Sequence, residues 1–447
     1  TPGVFRRALR FFMRWLVIGF ARSAAVWVGM CAITAYYFNV FTPIAVIANI
    51  LLSPVMFVLL GASLLTSVAS LLWLAPVADL FGMVASWSGA VIGRLASVLA
   101  GIPGLSFYLP SPSLVTVFAF FAAMAGLAAI RTVRRAALVA AVSGAVFVAL
   151  AARDYCLPSK HDDLVRVTVL DVGHGLSVLV ETGSGFTMLY DVGGSRSGDV
   201  GRNIVAPYVW TRKMRSVDTL ALSHPDDDHI NGFASFARRL GIEQLCVSRA
   251  FGRELPDIAR RLGVSQVSLE DIDTGLTSIG SPVKVTLCGS AGDPERKGGE
   301  RIAATLDILW PDDRIIGDAA LSENDRSLVV KVSFGGRSVL LTGDLELRGL
   351  KLLCKSGADL RADVLVVPHH GSAGSLCVEF IEAVKPSVVV VSRRKRAGDA
   401  QSMLRVFAAY WERGARVADT SKSGAVTVRL ARNGDIEVST FVEEEGP

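Results

Sequence analysis

Long tracts without any charged residue dominate the first third of the chain. Residues 23–78, 95–130 and 136–152 contain none. A helix needs roughly 20 apolar residues to cross a bilayer, so the first tract alone is long enough for two spans. The pattern therefore predicts an all-α, polytopic membrane segment over residues 1–152.

Polar residues and prolines interrupt the first tract. The Xaa-Pro pairs at 42–43 and 53–54 are candidate breaks between spans. Asn39 and Asn49 carry amides that lipid does not tolerate unpaired. They fit either a broken or re-entrant helix packed inside protein or two helix-capping positions, and the sequence leaves both readings open.

The later apolar segments differ from one another. Residues 75–104 mix polar and apolar positions, which fits an interfacial amphipathic helix somewhat better than a pore-facing one. Residues 113–130 and 136–152 read as two clear spans, joined by the basic loop 131–135.

From about residue 164 the pattern changes to short β-rich runs separated by turn residues and a few helical segments. Two strand-rich halves with helices predict an α+β sandwich of two sheets covered by helices over residues 164–447, behind a linker at 153–163. The Gly/Ser-rich stretch 251–300 is expected to be a loop-rich insertion. The predicted strands are 165–172, 176–182, 187–192, 217–223, 306–310, 327–334, 338–342, 362–368, 387–392, 425–430 and 436–442, and the predicted helices are 230–240, 345–354, 378–384 and 402–413.

Composition and charge support this division. The chain is 51% hydrophobic with a mean hydropathy of +0.45, which is too apolar for an ordinary soluble protein. Residues 1–160 hold 11 Lys and Arg against two acidic residues, whereas the remainder holds 35 against 39. Short basic loops stay cytoplasmic, so the loop 131–135 predicts that everything after the 136–152 span lies outside the cytoplasm of a plasma-membrane protein.

Two further features bear on the class of protein. The chain begins at Thr1 and has no signal-peptide pattern, so we expect a fragment whose N-terminus lies upstream. Its six cysteines form no CxxC pair and no zinc-ribbon spacing, so we expect them to be structural or free, and they do not indicate a redox compartment.

Candidate chemistry begins in the segment Ser223-His-Pro-Asp-Asp-Asp-His229. It follows a buried-looking strand and precedes a predicted helix. His224, Asp226, Asp228 and His229 place four candidate ligands within six residues, and imidazole with carboxylate suits Zn²⁺ or Mn²⁺. A solvated acidic loop is the alternative, although such a loop rarely needs two histidines.

Two more strand ends carry candidate ligands. Asp344 follows the strand 338–342 through a glycine, and the pair His369-His370 follows the strand 362–368. Alone, each of these is an ordinary turn. Together with the first segment they place ligands at successive strand ends, where a layered β fold gathers its site.

The three segments resemble the metallo-β-lactamase superfamily and, more narrowly, the ComEC family of DNA-uptake competence proteins. That family has Asp where the wider superfamily has the second His of its HxHxDH motif, and it shares the HHGS ending seen at 369–372. Residues 170–175 (LDVGHG), 189–193 (LYDVG) and 322–329 (SENDRSLV) are similar to further family segments, and the apolar block resembles the C-terminal part of the family's membrane channel domain.

The resemblance implies an αββα fold with two divalent ions, Zn or Mn. It implies that His224 and Asp226 bind one ion, that Asp228, His229 and one of His369 and His370 (we favour His369) bind the other, and that Asp344 bridges them. Asp228 and Asp344 would be the catalytic carboxylates. Asp191, Asn324 and Ser327 would order the site from behind.

The sequence departs from the family pattern in two ways that matter for the ions. No histidine lies between 229 and 344, so the first ion lacks the superfamily's usual third histidine. The opening segment has His174 and Leu176 where the family often has Gln and Asp.

The function implied is cleavage of phosphodiester bonds in the non-transported strand during DNA uptake, while the membrane segment conducts the other strand. DNA, membrane lipid and the DNA-uptake machinery would be the partners. The basic run Arg393, Arg394, Lys395 and Arg396 is a candidate phosphate contact, although a solvated turn explains such a run more often. The alternatives are a hydrolase of a small ester, phosphoester or lactam, and a channel whose degenerate domain only binds.

Overall fold

The computed structural model describes residues 2–102, 104–128, 164–195, 198–247, 283–287, 304–311, 320–395 and 400–442, and residues 132, 149, 153, 315 and 318 singly. It divides the chain into two compact units, Thr1–Leu157 and Pro158–Pro447. The predicted span 136–152, nearly all of the loop 131–135 and the linker, and most of the insertion 251–300 lie outside the described residues.

The first unit is helical. Its described helices are α1 (Pro2–Phe38), α2 (Ala45–Leu71), α3 (Ala75–Ala100) and α4 (Leu114–Ala128). Three of them contain stretches long and apolar enough to cross a membrane: Leu9–Phe38, Ala45–Leu71 and Ala75–Ala100. Many large apolar side chains of these helices are exposed within the unit, as the lipid-facing side of a membrane protein requires.

The break predicted at 42–43 is present, because α1 ends just before Asn39. Asn39 has a φ of +57° and a buried side chain, whose amide donates to the carbonyl of Leu109 at 3.1 Å and to Ser111 Oγ at 2.8 Å. The next residues form β1 (Val40–Phe41), which pairs antiparallel with β2 (Phe107–Tyr108). Asn39 thus ends a helix and also keeps a non-helical segment paired inside protein.

The break predicted at 53–54 is wrong. Pro54 lies inside the continuous helix α2, as does Asn49, and the hydroxyl of Ser53 donates to the carbonyl of Asn49. Proline lacks the N–H that would bond to the carbonyl of Ile50, yet α2 continues through this position. The segment 75–104, for which an interfacial helix was favoured, forms the 26-residue helix α3, which has the length of a span.

The second unit contains two sheets, each with seven strands among the described residues. The first has the order β16-β15-β3-β4-β5-β6-β7, and the second has the order β14-β13-β12-β11-β10-β9-β8. The strands are β3 (Leu164–Val169), β4 (Val178–Thr182), β5 (Thr187–Tyr190), β6 (Ser216–Leu222), β7 (Gly241–Val247), β8 (Val283–Leu287), β9 (Ala304–Trp310), β10 (Val329–Phe334), β11 (Arg337–Leu341), β12 (Val364–Val366), β13 (Val388–Val391), β14 (Arg416–Asp419), β15 (Val426–Ala431) and β16 (Ile436–Thr440).

An apolar core lies between the two sheets. Val178 and Val428 of the first sheet pack in one cluster with Val330 and Val339 of the second. Successive residues of a strand point to opposite faces, so these positions form only half of each strand's buried surface.

Helices cover the outer faces. Leu220 of β6 packs against Phe236 of a short helix, α6 (Phe233–Ala237), and Leu365 of β12 packs against Phe380 of the helix α8 (Val378–Val384). The helices α5 (Ala206–Thr211), α7 (Leu347–Lys355) and α9 (Ala400–Trp411) complete these layers. The strands are therefore apolar on both faces, and the four layers are the predicted αββα sandwich.

The predicted helix 230–240 is shorter than expected. It is represented by α6 and by one turn at Asp227–Ile230, and Gly232 lies between them. A Cβ atom at Gly232 would lie 2.6 Å from the backbone nitrogen of Gly201, so two backbone segments cross here. In this second unit β7 and β14 were not predicted, and β8 lies inside the stretch expected to be a loop-rich insertion.

The parallel strands explain where the candidate ligands meet. Strand β5 is parallel to β6 in the first sheet, and β11, β12 and β13 are parallel to one another in the second. Parallel neighbours end at the same edge of a sheet, so the turns that follow them lie side by side.

Candidate metal centre

The turns after five parallel strands supply most of the centre. Asp191 follows β5, Ser223 follows β6, Asp344 follows β11, His370 follows β12 and Ser392 follows β13. The two sheets are joined at this end, because the amide of Leu328 donates to the carbonyl of Ser223 at 3.0 Å.

A hydrogen-bond network behind the centre orients two histidines. Asp191 is fully buried and accepts from the amide of Ser223 at 2.6 Å, from Ser223 Oγ at 2.7 Å and from Nδ1 of His229 at 2.8 Å. The single hydroxyl proton of Ser223 is thereby used, so Nδ1 of His224, 2.9 Å from Ser223 Oγ, must be the donor in that contact. Both imidazoles therefore keep their proton on Nδ1 and present Nε2 to the centre.

His370, which follows β12 of the other sheet, also presents its Nε2 to the centre. Its Nδ1 donates to the carbonyl of Ser392 at 3.0 Å, which leaves Nε2 facing the carboxylates. That Nε2 lies 3.3 Å from Asp344 Oδ2, 3.5 Å from Asp228 Oδ2 and 3.3 Å from Nε2 of His229.

Asp344 lies between the two groups of histidines. Its Oδ1 is 3.1 Å from Nε2 of His229, whereas its Oδ2 is 3.3 Å from Nε2 of His370. The preceding Gly343 has a φ of +54°, and a Cβ there would lie 2.8 Å from Ser327 Cβ. Glycine therefore fits this tight turn, which aims the carboxylate into the centre from both sides.

The donor atoms form two compact sets. His224, His229 and Asp344 form one, and His174, Asp228 and His370 form the other, with the atoms of each set within 4.8 Å of one another. Nε2 of His224 and Oδ1 of Asp344 are buried and form no hydrogen bond with the described residues. Buried polar atoms left without hydrogen bonds are costly, so the residues present fit a bound divalent cation.

Electrostatics favour a cation as well. Burial lowers the pKa of an imidazole, but Asp344 and Asp228 overcome this effect and raise the pKa of His370 to about 9. Asp344 and Asp191 likewise raise the pKa of the buried His229 well above its usual value. Burial raises the pKa of the Asp344 carboxyl, yet His229 and His370 hold it well below its usual range. Protons on the imidazoles thus balance the carboxylates, and a divalent ion would displace those protons.

The structure changes two of the groupings expected from the sequence. His229 lies with His224 and Asp344, although its distance to His370 also places it beside the second set. Between the two neighbouring histidines, His370 is closer to Asp344 Oδ2, at 3.3 Å against 3.8 Å for His369. Asp226, with Oδ2 at 3.6 Å from Nε2 of His224, lies at the exposed side of the first set.

The residues expected to order the site lie directly behind it. Ser327 Oγ accepts from the amide of Asp344 at 3.1 Å. The amide of Asn324 donates to Glu346 Oε1 at 3.3 Å, and the same oxygen lies 3.7 Å from Nδ1 of His369. Asn324 therefore contacts Glu346, whose carboxylate lies near His369, an arrangement that the sequence motifs did not indicate.

The basic run after β13 is not uniformly free to bind phosphate. Arg393 forms a partly buried ion pair with Asp419, with Nε and a terminal nitrogen each 2.8 Å from Oδ2. Arg394 and Lys395 are exposed, and Arg396 lies outside the described residues. Only Arg394 and Lys395 of the described part of the run present charges to solvent.

Family comparisons match both units. The family described as "Competence protein" matches residues 3–134, and the family described as "Metallo-beta-lactamase superfamily" matches residues 170–393. The second range contains both donor sets and the oxygen and nitrogen atoms that orient them.

Individual relatives agree with the family matches. The chain is 25% identical over 425 residues to ComE operon protein 3 of Bacillus subtilis, covering 90% of this chain and 50% of that protein. It is 30% identical over 282 residues to Competence protein ComA of Neisseria gonorrhoeae, covering 60% and 33% respectively. Among solved structures, Zn²⁺-bound PqqB from Methylobacterium extorquens aligns at 12% identity over 59% of this chain and 99% of its own, with a TM-score of 0.36. The chain spans half or less of the length of the two competence proteins.

Proposed function

Since the chain belongs to the metallo-beta-lactamase superfamily and carries that domain behind the membrane domain of competence proteins, as the ComEC family does, we propose that it works in DNA uptake. The C-terminal domain cleaves phosphodiester bonds of the strand that is not transported. The membrane unit, with three helices long enough to span a bilayer, conducts the other strand.

The observation that carries this proposal is the convergence of imidazole Nε2 atoms on one carboxylate, that of Asp344. His224, His229 and His370 all present Nε2 to the centre, and Asp344 offers one oxygen to each side. Two divalent ions, Zn or Mn, would supply Lewis acidity and an activated water for in-line displacement at a phosphodiester. Of the neighbouring histidines we assign His370, not His369, as the direct ligand.

Other side chains in and around the centre are proposed to complete the metal site or to contact the substrate. Asp228, part-exposed beside His370, holds the solvent side of the second donor set. His369 lies at the edge of the centre, 3.8 Å from Asp344 Oδ2 and 3.7 Å from Glu346, and is proposed to contact a phosphate oxygen of the substrate. The exposed Arg394 and Lys395 are the part of the basic run available to the DNA backbone.

The test is cleavage of end-labelled DNA by the purified full chain in detergent micelles. We expect cleavage that requires Mn²⁺ or Zn²⁺, stops with a chelator and is at least as fast on single strands as on duplex. The ion concentration should be varied, because the first donor set has no further histidine from the segment between 229 and 344.

Two results would contradict the nuclease assignment. Hydrolysis of a small phosphoester or carboxylic ester with no cleavage of any DNA would favour the small-substrate hydrolase. Bound metal without hydrolysis of either substrate class at saturating ion would favour a domain that only binds.

The hydrolase domain is further proposed to lie on the extracytoplasmic side. The support is the basic loop 131–135 followed by the apolar residues 136–152. We expect alkaline phosphatase fused after residue 447 to be active in cells and green fluorescent protein at the same point to be dark. A fluorescent green fluorescent protein fusion together with an inactive alkaline phosphatase fusion would refute this orientation.

A further inference from the structure

We propose that His174 is a direct ligand of the ion held by Asp228 and His370, an assignment that rests on the metal centre of the proposed function. The motifs expected to bind metal are all strand-end segments beginning at His224. His174 instead comes from the glycine-rich loop after β3, and no metal-binding role was predicted for it.

The position of the imidazole is that of a ligand. Nε2 of His174 lies 3.7 Å from Asp228 Oδ2, the same oxygen that is 3.5 Å from Nε2 of His370. The two imidazole rings have centroids 4.6 Å apart and an interplanar angle of 52°, so they are not stacked face to face. Two nitrogen donors therefore flank one carboxylate oxygen, a donor set that fits a divalent ion.

The loop that carries His174 is fixed to the same residues. A Cβ atom at Gly175 would lie 2.4 Å from the carbonyl oxygen of Asp228, so only glycine allows this approach. The hydroxyl of Ser392 donates to the carbonyl of Gly175 at 2.7 Å, while the carbonyl of Ser392 accepts from His370. The amide of His174 itself donates to Ser195 Oγ at 3.0 Å.

One residue thus positions two members of the set. Ser392 holds the His174 loop through its side chain and His370 through its backbone, and the backbone of Asp228 forms the wall against which the loop packs. Such preorganisation lowers the conformational cost of binding an ion.

An imidazole in this place also affects which ion is preferred. With His174 the set offers two nitrogens and one carboxylate, to which Asp344 adds a shared oxygen. Nitrogen donors favour Zn²⁺, whereas oxygen donors suit Mn²⁺. The geometry therefore predicts that His174 shifts the second ion toward Zn²⁺.

The test measures metal binding by the full chain in detergent, with His174→Ala, His174→Gln and the matched surface variant Asp359→Asn. Asp359 is an exposed carboxylate paired with Lys331, outside both donor sets. We expect two Zn²⁺ ions in the unsubstituted chain and in Asp359→Asn. His174→Ala should weaken the second Zn²⁺ by at least the roughly 10–100-fold that loss of an outer partner costs. His174→Gln should lose more affinity for Zn²⁺ than for Mn²⁺.

Replacing the bound Zn²⁺ with Co²⁺ gives a readout that is independent of activity. Loss of a nitrogen ligand changes the visible absorption of Co²⁺. An unchanged Co²⁺ spectrum and unchanged Zn²⁺ affinity in both His174 variants would overturn the assignment while leaving the proposed function intact. Absence of metal from the unsubstituted chain would overturn both. Thermal unfolding identifies a variant that fails to fold, and His174→Gln, which keeps the side-chain size at a part-exposed position, then decides the result.

Discussion

Asp344→Asn should reduce metal-dependent DNA cleavage by roughly a thousandfold or more, which corresponds to several kcal/mol of barrier. The asparagine has nearly the same size, but it is neutral and offers one oxygen where the carboxylate offers two. Oδ1 faces His229 at 3.1 Å and Oδ2 faces His370 at 3.3 Å, so the carboxylate offers one oxygen to each donor set.

The measurement is the single-turnover rate on labelled single-stranded DNA across a range of Mn²⁺ concentrations. Asp359→Asn, which makes the same chemical change outside the centre, should cleave at the unsubstituted rate. The unfolding temperature of each variant, compared with that of the unsubstituted chain, shows whether lost activity reflects a damaged centre or a damaged fold. An Asp344→Asn chain that is folded and cleaves within about tenfold of the unsubstituted rate would remove the two-ion mechanism.

Asp191→Ala should both destabilise the hydrolase domain and weaken its metal binding. Asp191 is fully buried and accepts three hydrogen bonds, two from Ser223 and one from His229. Removing one partner of a buried, charged network typically costs about 3–5 kcal/mol. Loss of the group that orients a ligand histidine costs about 10–100-fold in metal affinity.

Denaturant unfolding and Zn²⁺ titration on the full chain check these two effects. Asp191→Asn is the informative companion, because Asn tolerates the φ of +59° at this position and still accepts a hydrogen bond from the amide of Ser223. We expect it to retain more stability than Asp191→Ala but to bind Zn²⁺ less tightly than the unsubstituted chain. Equal stability and Zn²⁺ affinity in all three chains would show that Asp191 does not support the centre.

Local patterns predicted much of this fold because its strands are buried on both faces and bounded by turns. The runs 217–223 and 338–342 lie within one residue of β6 and β11 at each end, and the helix 378–384 matches α8. The uncharged tracts indicated the membrane helices less completely, because α1 begins at Pro2, before the first tract, and α3 contains Asp79 and Arg94. The break predicted at Pro54 was wrong, because a proline inside a long apolar helix does not have to end it.

The candidate centre was predictable where its residues are clustered in sequence. His224, Asp228, His229, Asp344 and the 369–370 pair stand in strand-end motifs, and the sheets bring those ends together. His174 was seen as a departure from a family pattern rather than as a ligand, although it is one of only six histidines in the chain. Its role depends on a loop held by Ser392 more than 200 residues away, which no local pattern reports.

The choice between His369 and His370 was also beyond the sequence. Both have left-handed backbone conformations, with φ of +49° and +54°, so neighbouring side chains leave the turn in different directions. The hydrogen bond to Ser392 shows that His370 points to the donor sets. The position of His369 near Glu346 shows that it points to their edge.

The hydrogen bond between Ser392 and Gly175 joins residues 217 positions apart. The centre therefore depends on the turn after β13, in the later part of the domain. During synthesis the N-terminal part of a domain emerges first, whereas contacts between distant residues must wait for both partners. A growing chain therefore adds more than 200 residues after the His174 loop before it contains Ser392, which holds both this loop and His370. The centre can assemble only after β13 and Ser392 have been made. A chain that stops before β13 therefore cannot form it.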